Sequence, residues 1–133
     1  FKLNYLFREL TKNKKLEKIK IDIKGREFLI NNFYDGIAKL EFNQLCNTNI
    51  GAEDYIKIAD TCSFIVIQNI PCFNDENANQ QQRFITLIDI LYEKKISIMI
   101  SMATRLENIG SSKKLFLPFK RTLSRIFELT APK

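Results

Sequence analysis

Arg121 and Arg125 stand four residues apart in FKRTLSRIFEL, one turn of a helix. Two guanidinium forks on one helix face could grip a pair of phosphate or carboxylate oxygens, because each fork is planar and supplies parallel N–H donors. The same spacing also fits a solvated face on which Arg125 pairs with Glu128 three residues on, and spacing alone favours that plainer assignment. Arg83 poses a different question. On a helical wheel it falls near Leu87 and Ile90, inside a wide apolar arc. A guanidinium cannot be buried cheaply without a partner, so Arg83 is expected to snorkel at the helix start or to meet an acid, with snorkelling the simpler outcome. Asp89, at the other margin of that arc, is expected either to meet a neighbouring backbone or basic group or to face solvent.

The remaining chemistry is narrowed by what is missing. The chain contains no His, which removes the usual neutral-pH general base and rules out a Ser-His or Cys-His nucleophile within it. Cys46, Cys62 and Cys72 form no CxxC pair, so neither a disulfide framework nor a zinc site is expected and a reducing compartment fits best. A phosphate loop needs clustered glycines followed by Lys and Ser/Thr. The nearest approach is Ile109-Gly110-Ser111-Ser112-Lys113-Lys114, which lacks the first Gly, the spacing and a following helix. It reads as a solvated surface loop. No acidic pair follows a strand in the manner of a Walker B motif, and autonomous ATP hydrolysis is not expected.

These residues have to be held by a fold. With 133 residues, 45% of them hydrophobic and 27% charged, the chain has the make-up of one globular domain, residues 1–133. The net charge of +6 favours phosphates, nucleic acid or an acidic protein face without choosing among them. No apolar run is long enough to span a bilayer. The first residue is Phe1 rather than Met, so a longer parent chain is expected.

Residues 1–12 read as a short amphipathic helix with Leu3, Leu6, Phe7 and Leu10 on one face. Lys12, Lys14, Lys15, Lys18, Lys20 and Lys24 follow closely. They could track a nucleic-acid backbone, but few aromatics interleave with them, and lysines on an exposed strand also discourage edge aggregation. Ile19, Ile21 and Ile23 alternate with charges, Gly25-Arg26 turns, and EFLINN returns, which predicts an antiparallel hairpin. IAKLEF is a third strand with Ala38, Leu40 and Phe42 on one face. AEDYIKIADT is a helix carrying Glu53 and Asp54 in its first turn, where carboxylates suit the dipole. Residues 63–70 are a buried strand, 80–94 a helix covered on most sides, and 96–102 another buried strand. Residues 103–118 read as loop. A last helix over 119–130 is expected to bury Phe119, Leu123, Ile126 and Phe127, with the arginine pair on the opposite face. The expected fold is α/β: a mixed sheet of about five strands, with a hairpin, a strand-helix-strand unit and helices packed on the sheet.

Taken in order, KGREFLI, GIAKLEFNQLC, GAEDYIKIAD, FIVIQNIP, RFITLIDILYEKKISIMIS and FKRTLSRIFEL resemble the C-terminal part of a family of AAA+-related P-loop ATPases that includes bacterial ZapE and the mitochondrial lactation-elevated ATPase. The resemblance runs from about Gly25 onward and rests on the order and spacing of the motifs together. It implies a P-loop NTPase-type architecture whose phosphate loop and Walker B strand lie N-terminal to this region. The parent would then be an ATPase using ATP and Mg, with neither cofactor expected on this chain alone. Expected partners are the N-terminal ATPase half of the same chain, neighbouring subunits and a protein client, a cell-division protein among the candidates; sequence-specific nucleic-acid binding is not expected. The compartment implied is the bacterial cytoplasm, or the mitochondrial matrix in a eukaryote. Family members carry a double Arg where this chain has Gln82-Arg83, and Ser-Ala where it has Ser101-Met102. By analogy with γ-phosphate-sensing arginines, the resemblance makes Arg121, Arg125 and Arg83 candidate phosphate sensors. Two rival assignments remain: a stand-alone basic nucleic-acid-binding domain, and a protein-interaction module without nucleotide contact.

Overall fold

The period-two isoleucines form the outer hairpin. In the computed structural model, which describes residues 2–130, β1 (Glu17–Ile23) pairs antiparallel with β2 (Arg26–Tyr34). Ile21 and Ile23 turn into the core. Lys24 and Gly25 both have positive φ, 51° and 82°, as the hairpin turn that matches strand twist requires. Asp35 and Gly36 repeat the device, with φ of 51° and 92°, and deliver β3 (Ile37–Glu41) antiparallel to β2. β4 (Phe64–Ile70) and β5 (Ser97–Met102) then add in parallel, giving the order β1-β2-β3-β4-β5.

Parallel neighbours need crossover helices. α2 (Phe42–Cys46) and α3 (Ala52–Thr61) link β3 to β4, and α4 (Ala78–Glu93) links β4 to β5. Ala38, Leu40, Ile65, Ile67 and Ile98 meet these helices, with α5 (Phe116–Thr130), in one core. At its centre Phe42, Phe73, Phe84 and Phe119 form an aromatic cluster, with Phe42 and Phe84 5.8 Å apart and Phe73 meeting Phe119 edge-on at 5.4 Å. The opposite sheet face receives α1 (Lys2–Thr11), whose Phe7 packs on Ile37 and Val66. Leu10 joins this second core, Leu6 is 40% exposed, and the side chain of Leu3 lies outside the described residues.

Several expectations need correcting. Phe42 does lie on the buried side with Ala38 and Leu40, but it opens the short helix α2 rather than ending β3. α4 starts at Ala78, two residues earlier than expected, and α5 starts at Phe116 rather than Phe119. Pro118 falls in the first turn of α5, where a missing N–H costs nothing. On α5, Phe119 and Ile126 are buried as expected and Leu123 partly so, but Phe127 is 61% exposed and Leu129 takes the core position instead. The Gly110–Lys114 run is not a freely solvated loop. Phe73 N–H donates to Ile109 O at 2.8 Å, and a Cβ on Gly110 would meet Phe73 O at 2.7 Å, so only glycine fits this approach. Ser112 beyond it is buried.

Candidate functional site

Arg121 and Arg125 converge on a single carboxylate. Arg125 Nη1 donates to Asp89 Oδ1 at 2.6 Å, and Arg121 Nη2 lies 3.5 Å from Asp89 Oδ2. The Arg125 guanidinium also stacks over the Tyr92 ring, 4.5 Å from its centroid. Tyr92 O–H donates to Glu128 Oε2 at 2.8 Å, which with the nearby negative charge raises the phenol above its ordinary range. Glu128 therefore accepts from Tyr92, and the partner expected for Arg125 within α5 is replaced by Asp89 on α4. The pair does not lie opposite the core: it sits along the α4–α5 seam, where the Arg125 side chain is 21% exposed and that of Arg121 60%. Arg125 is committed to that seam. Arg121 makes one long contact and keeps most of its fork open to solvent.

Arg83 stands apart from them. It is half-buried, and its Nη1 donates to Cys46 O at 3.3 Å at the end of α2. A backbone carbonyl thus satisfies the guanidinium at the helix start, close to the snorkelling expected. Beside it, burial pushes the Cys46 thiol up to about 12, against smaller opposing effects of the Tyr55 hydrogen bond and the Arg83 charge. Burial likewise raises Tyr55, whose O–H donates to Leu45 O at 2.6 Å. A thiol held that high is no nucleophile near neutral pH. The structure brings Arg121 and Arg125 together on α5 and leaves Arg83 with α2; the three do not form one site.

A polar group not anticipated from the sequence closes the carboxyl ends of the parallel strands. Asn69 has φ of 62°, and its Nδ2 donates to Glu41 Oε1 at 2.7 Å while its backbone N–H donates to Ser101 Oγ at 2.9 Å. The β4–β5 register shifts between Ile67 and Ile70 to allow this. Ligands of parallel α/β sheets gather beyond such strand ends. The signal in the sequence was Gln68-Asn69 interrupting an apolar strand just before Pro71.

The lysine cluster is partly neutralised: Lys14 lies 3.5 Å from Asp35, Lys20 3.8 Å from Glu27 and Lys24 2.5 Å from Glu53. Among the described residues, no group of three or more His, Cys, Asp or Glu side chains is placed to hold a metal ion, and no helix is long and apolar enough to cross a membrane.

A family model describing AFG1-like ATPases matches residues 2–133. The chain is 32% identical over 100 residues to lactation elevated protein 1 homolog B of Danio rerio, covering 74% of this chain and 20% of that protein. It is 27% identical over 90 residues to the cell division protein ZapE of Escherichia coli K12, covering 68% of this chain and 24% of ZapE. The chain thus spans a fifth to a quarter of the length of these relatives. No solved structure matches the chain significantly.

Proposed function

The chain belongs to the AFG1-like ATPase family, and we propose that it is the C-terminal part of an ATPase that converts ATP hydrolysis into work on a protein client. The observation that carries this reading is the family match along residues 2–133. The three parallel strands with crossover helices agree with it, as a P-loop NTPase-type architecture. The chain's own residues do not fit a Mg-ATP cradle. Its four glycines are dispersed, and no acid cluster is assembled among the described residues. Nucleotide and metal are therefore assigned to the rest of the parent protein, with this part docked against it or against a neighbouring subunit. ZapE is named a cell division protein, so a cell-division protein is one class of client, and the bacterial cytoplasm is the corresponding compartment.

Of the three candidate arginines, Arg121 is the one with donors to spare, and we assign to it the contact with nucleotide or with a neighbouring subunit. Arg125, tied to Asp89 and Tyr92, would hold the α4–α5 seam that carries Arg121, and Arg83 would hold α2. A contact made as charge develops in the transition state lowers kcat when lost, with little effect on ground-state affinity. In the full-length parent, Arg121→Ala is expected to lower kcat by about a thousandfold with KM nearly unchanged. Arg121→Lys should recover only part of that loss, because an ammonium lacks the fork. Steady-state ATPase kinetics with melting curves as the folding control test this. Unchanged kcat in Arg121→Ala would leave the residue a solvated charge, and a parent without ATP turnover would remove the ATPase reading itself.

A further inference from the structure

The segment that resembles a phosphate loop in composition but not in spacing has a feature its sequence does not announce. Ser111 to Lys114 is pinned against the start of α4. Gln81, fully buried, donates from Nε2 to Ser111 Oγ at 2.7 Å and accepts from Ser112 N–H at 3.0 Å, while Lys113 N–H donates to Asp75 Oδ1 at 2.8 Å. Ser112 is 1% exposed, and its hydroxyl is the one buried side-chain polar atom without a hydrogen-bond partner among the described residues. A fold that keeps such a hydroxyl gives up stability for it. Ser112 lines a cavity of about 380 Å³ together with Asp75, Glu76, Ala78, Asn79, Lys113 and Lys114.

The chemistry of this lining selects a ligand class. The cavity opens at the N-terminal end of a helix of 16 residues, where backbone N–H dipoles favour negative charge. Lys113 and Lys114 join no ion pair among the described residues, since every salt bridge there involves other cations. The two acids on the rim, Asp75 and Glu76, both oppose an anion, although Asp75 Oδ1 is turned to the Lys113 backbone N–H. The position is also the customary one for ligands in such a sheet: α4 starts after the carboxyl end of β4, and the loop follows β5.

We propose that this cavity binds a phosphoryl group, with the Ser112 hydroxyl donating to one oxygen and Lys113 and Lys114 neutralising the others. The site is built from this chain alone and does not rest on the ATPase reading. Its affinity is millimolar, because Asp75 and Glu76 oppose the anion and no glycine loop wraps it.

The test is an amide chemical-shift titration of the chain with inorganic phosphate, repeated with ADP and with adenosine. Saturable shifts centred on Asn79, Ser112 and Lys113 are expected with phosphate and ADP and absent with adenosine. Saturation by ADP at lower concentration than phosphate would identify a nucleotide as the better source of the group. Ser112→Ala should weaken phosphate by about fivefold while leaving the melting temperature equal or higher, since it removes an unsatisfied hydroxyl. Replacing both lysines by Met should weaken it by about tenfold, and Glu76→Gln should tighten it severalfold. The control Lys57→Met, on α3, should change nothing. Shifts that never saturate, or that fall equally in the Lys57 variant, would overturn the proposal, leaving only diffuse attraction to a basic protein. So would a Ser112→Ala chain that melts lower and binds phosphate as before, because the hydroxyl would then have its partner within the fold.

Discussion

Arg121 and Arg125 look equivalent in the sequence and are not equivalent in the structure. Both point at Asp89, but Arg125 adds a 2.6 Å bond and a stacked Tyr92 ring where Arg121 has a single 3.5 Å approach. A half-buried ion pair with a cation–π contact contributes about 1 kcal/mol, whereas a mostly exposed pair contributes little. Arg125→Ala is therefore expected to lower the melting temperature of the chain by roughly 4 °C, and Arg121→Ala to leave it within about 1 °C. Thermal denaturation by circular dichroism checks both, and equal losses in the two variants would contradict this ranking. The helical spacing correctly placed both arginines on one face. It could not supply Asp89, which lies 36 residues before Arg125 and becomes a neighbour only because α4 and α5 pack side by side. The same limit hid Ser112: in a run of Ser and Lys nothing local marks a buried residue, and its burial comes from Gln81 thirty-one residues away.

Elements whose signal is a repeated pattern were legible, and elements that depend on one distant contact were not. The hairpin, the third strand, α3, β4, α4 and β5 follow from period-two alternation, helical spacing and apolar runs. The five-residue α2 was missed because Phe42 extends the buried face of Ala38 and Leu40, so the strand pattern ran one residue past the turn into the helix. The start of α5 was missed because Pro118 reads as a loop signal although the first turn of a helix accepts it. Asp54 shows how a local cap becomes a joint between elements. Its place in the first turn of α3 was expected, and Oδ2 indeed accepts from Gly51 N–H at 2.8 Å. Oδ1, however, accepts from Arg26 Nη2 at 2.8 Å, fastening the start of β2 to the helix. Asp54 is 4% exposed, while the Arg26 side chain is 54% exposed, so the pair is worth less than a fully buried one. Asp54→Ala is expected to cost about 2 kcal/mol, from the lost cap and the lost pair together. Hydrogen exchange should show where that loss falls, with protection decreasing in the β1–β2 hairpin and at the start of α3 more than in β4 and β5. Uniform loss across the sheet would mean that the hairpin is not held through this joint.

At the scale of the whole molecule, one core joins the hairpin, the parallel strands and four helices, so a charge forced into it should unfold the domain as a unit. The two buried thiols provide that test. Burial raises Cys46 and Cys62 from 9.0 to about 12 each, and it raises the Tyr55 phenol beside Cys46 as well. In each case the fold favours the protonated form, so the folded pKa lies above the unfolded one. Their contribution to stability is complete below about pH 9 and is lost progressively as the pH rises toward about 12. A shift of this size corresponds to several kcal/mol in all, a large share of the stability of a domain this size. The chain is thus expected to hold a steady melting temperature up to about pH 9 and to lose it steeply above, in one cooperative transition. Cys72, which is exposed, should react with a thiol reagent at neutral pH while Cys46 and Cys62 react only on unfolding. Replacing both buried cysteines by Ala costs some packing but removes two of the alkaline-sensitive groups, leaving Tyr55 and Tyr92. The variant should therefore start from a lower melting temperature and fall less between pH 9 and pH 11 than the parent does. Denaturation curves across that range decide the matter: a variant that falls as steeply as the parent would place the alkaline sensitivity on Tyr55 or on the lysine ion pairs of the hairpin instead.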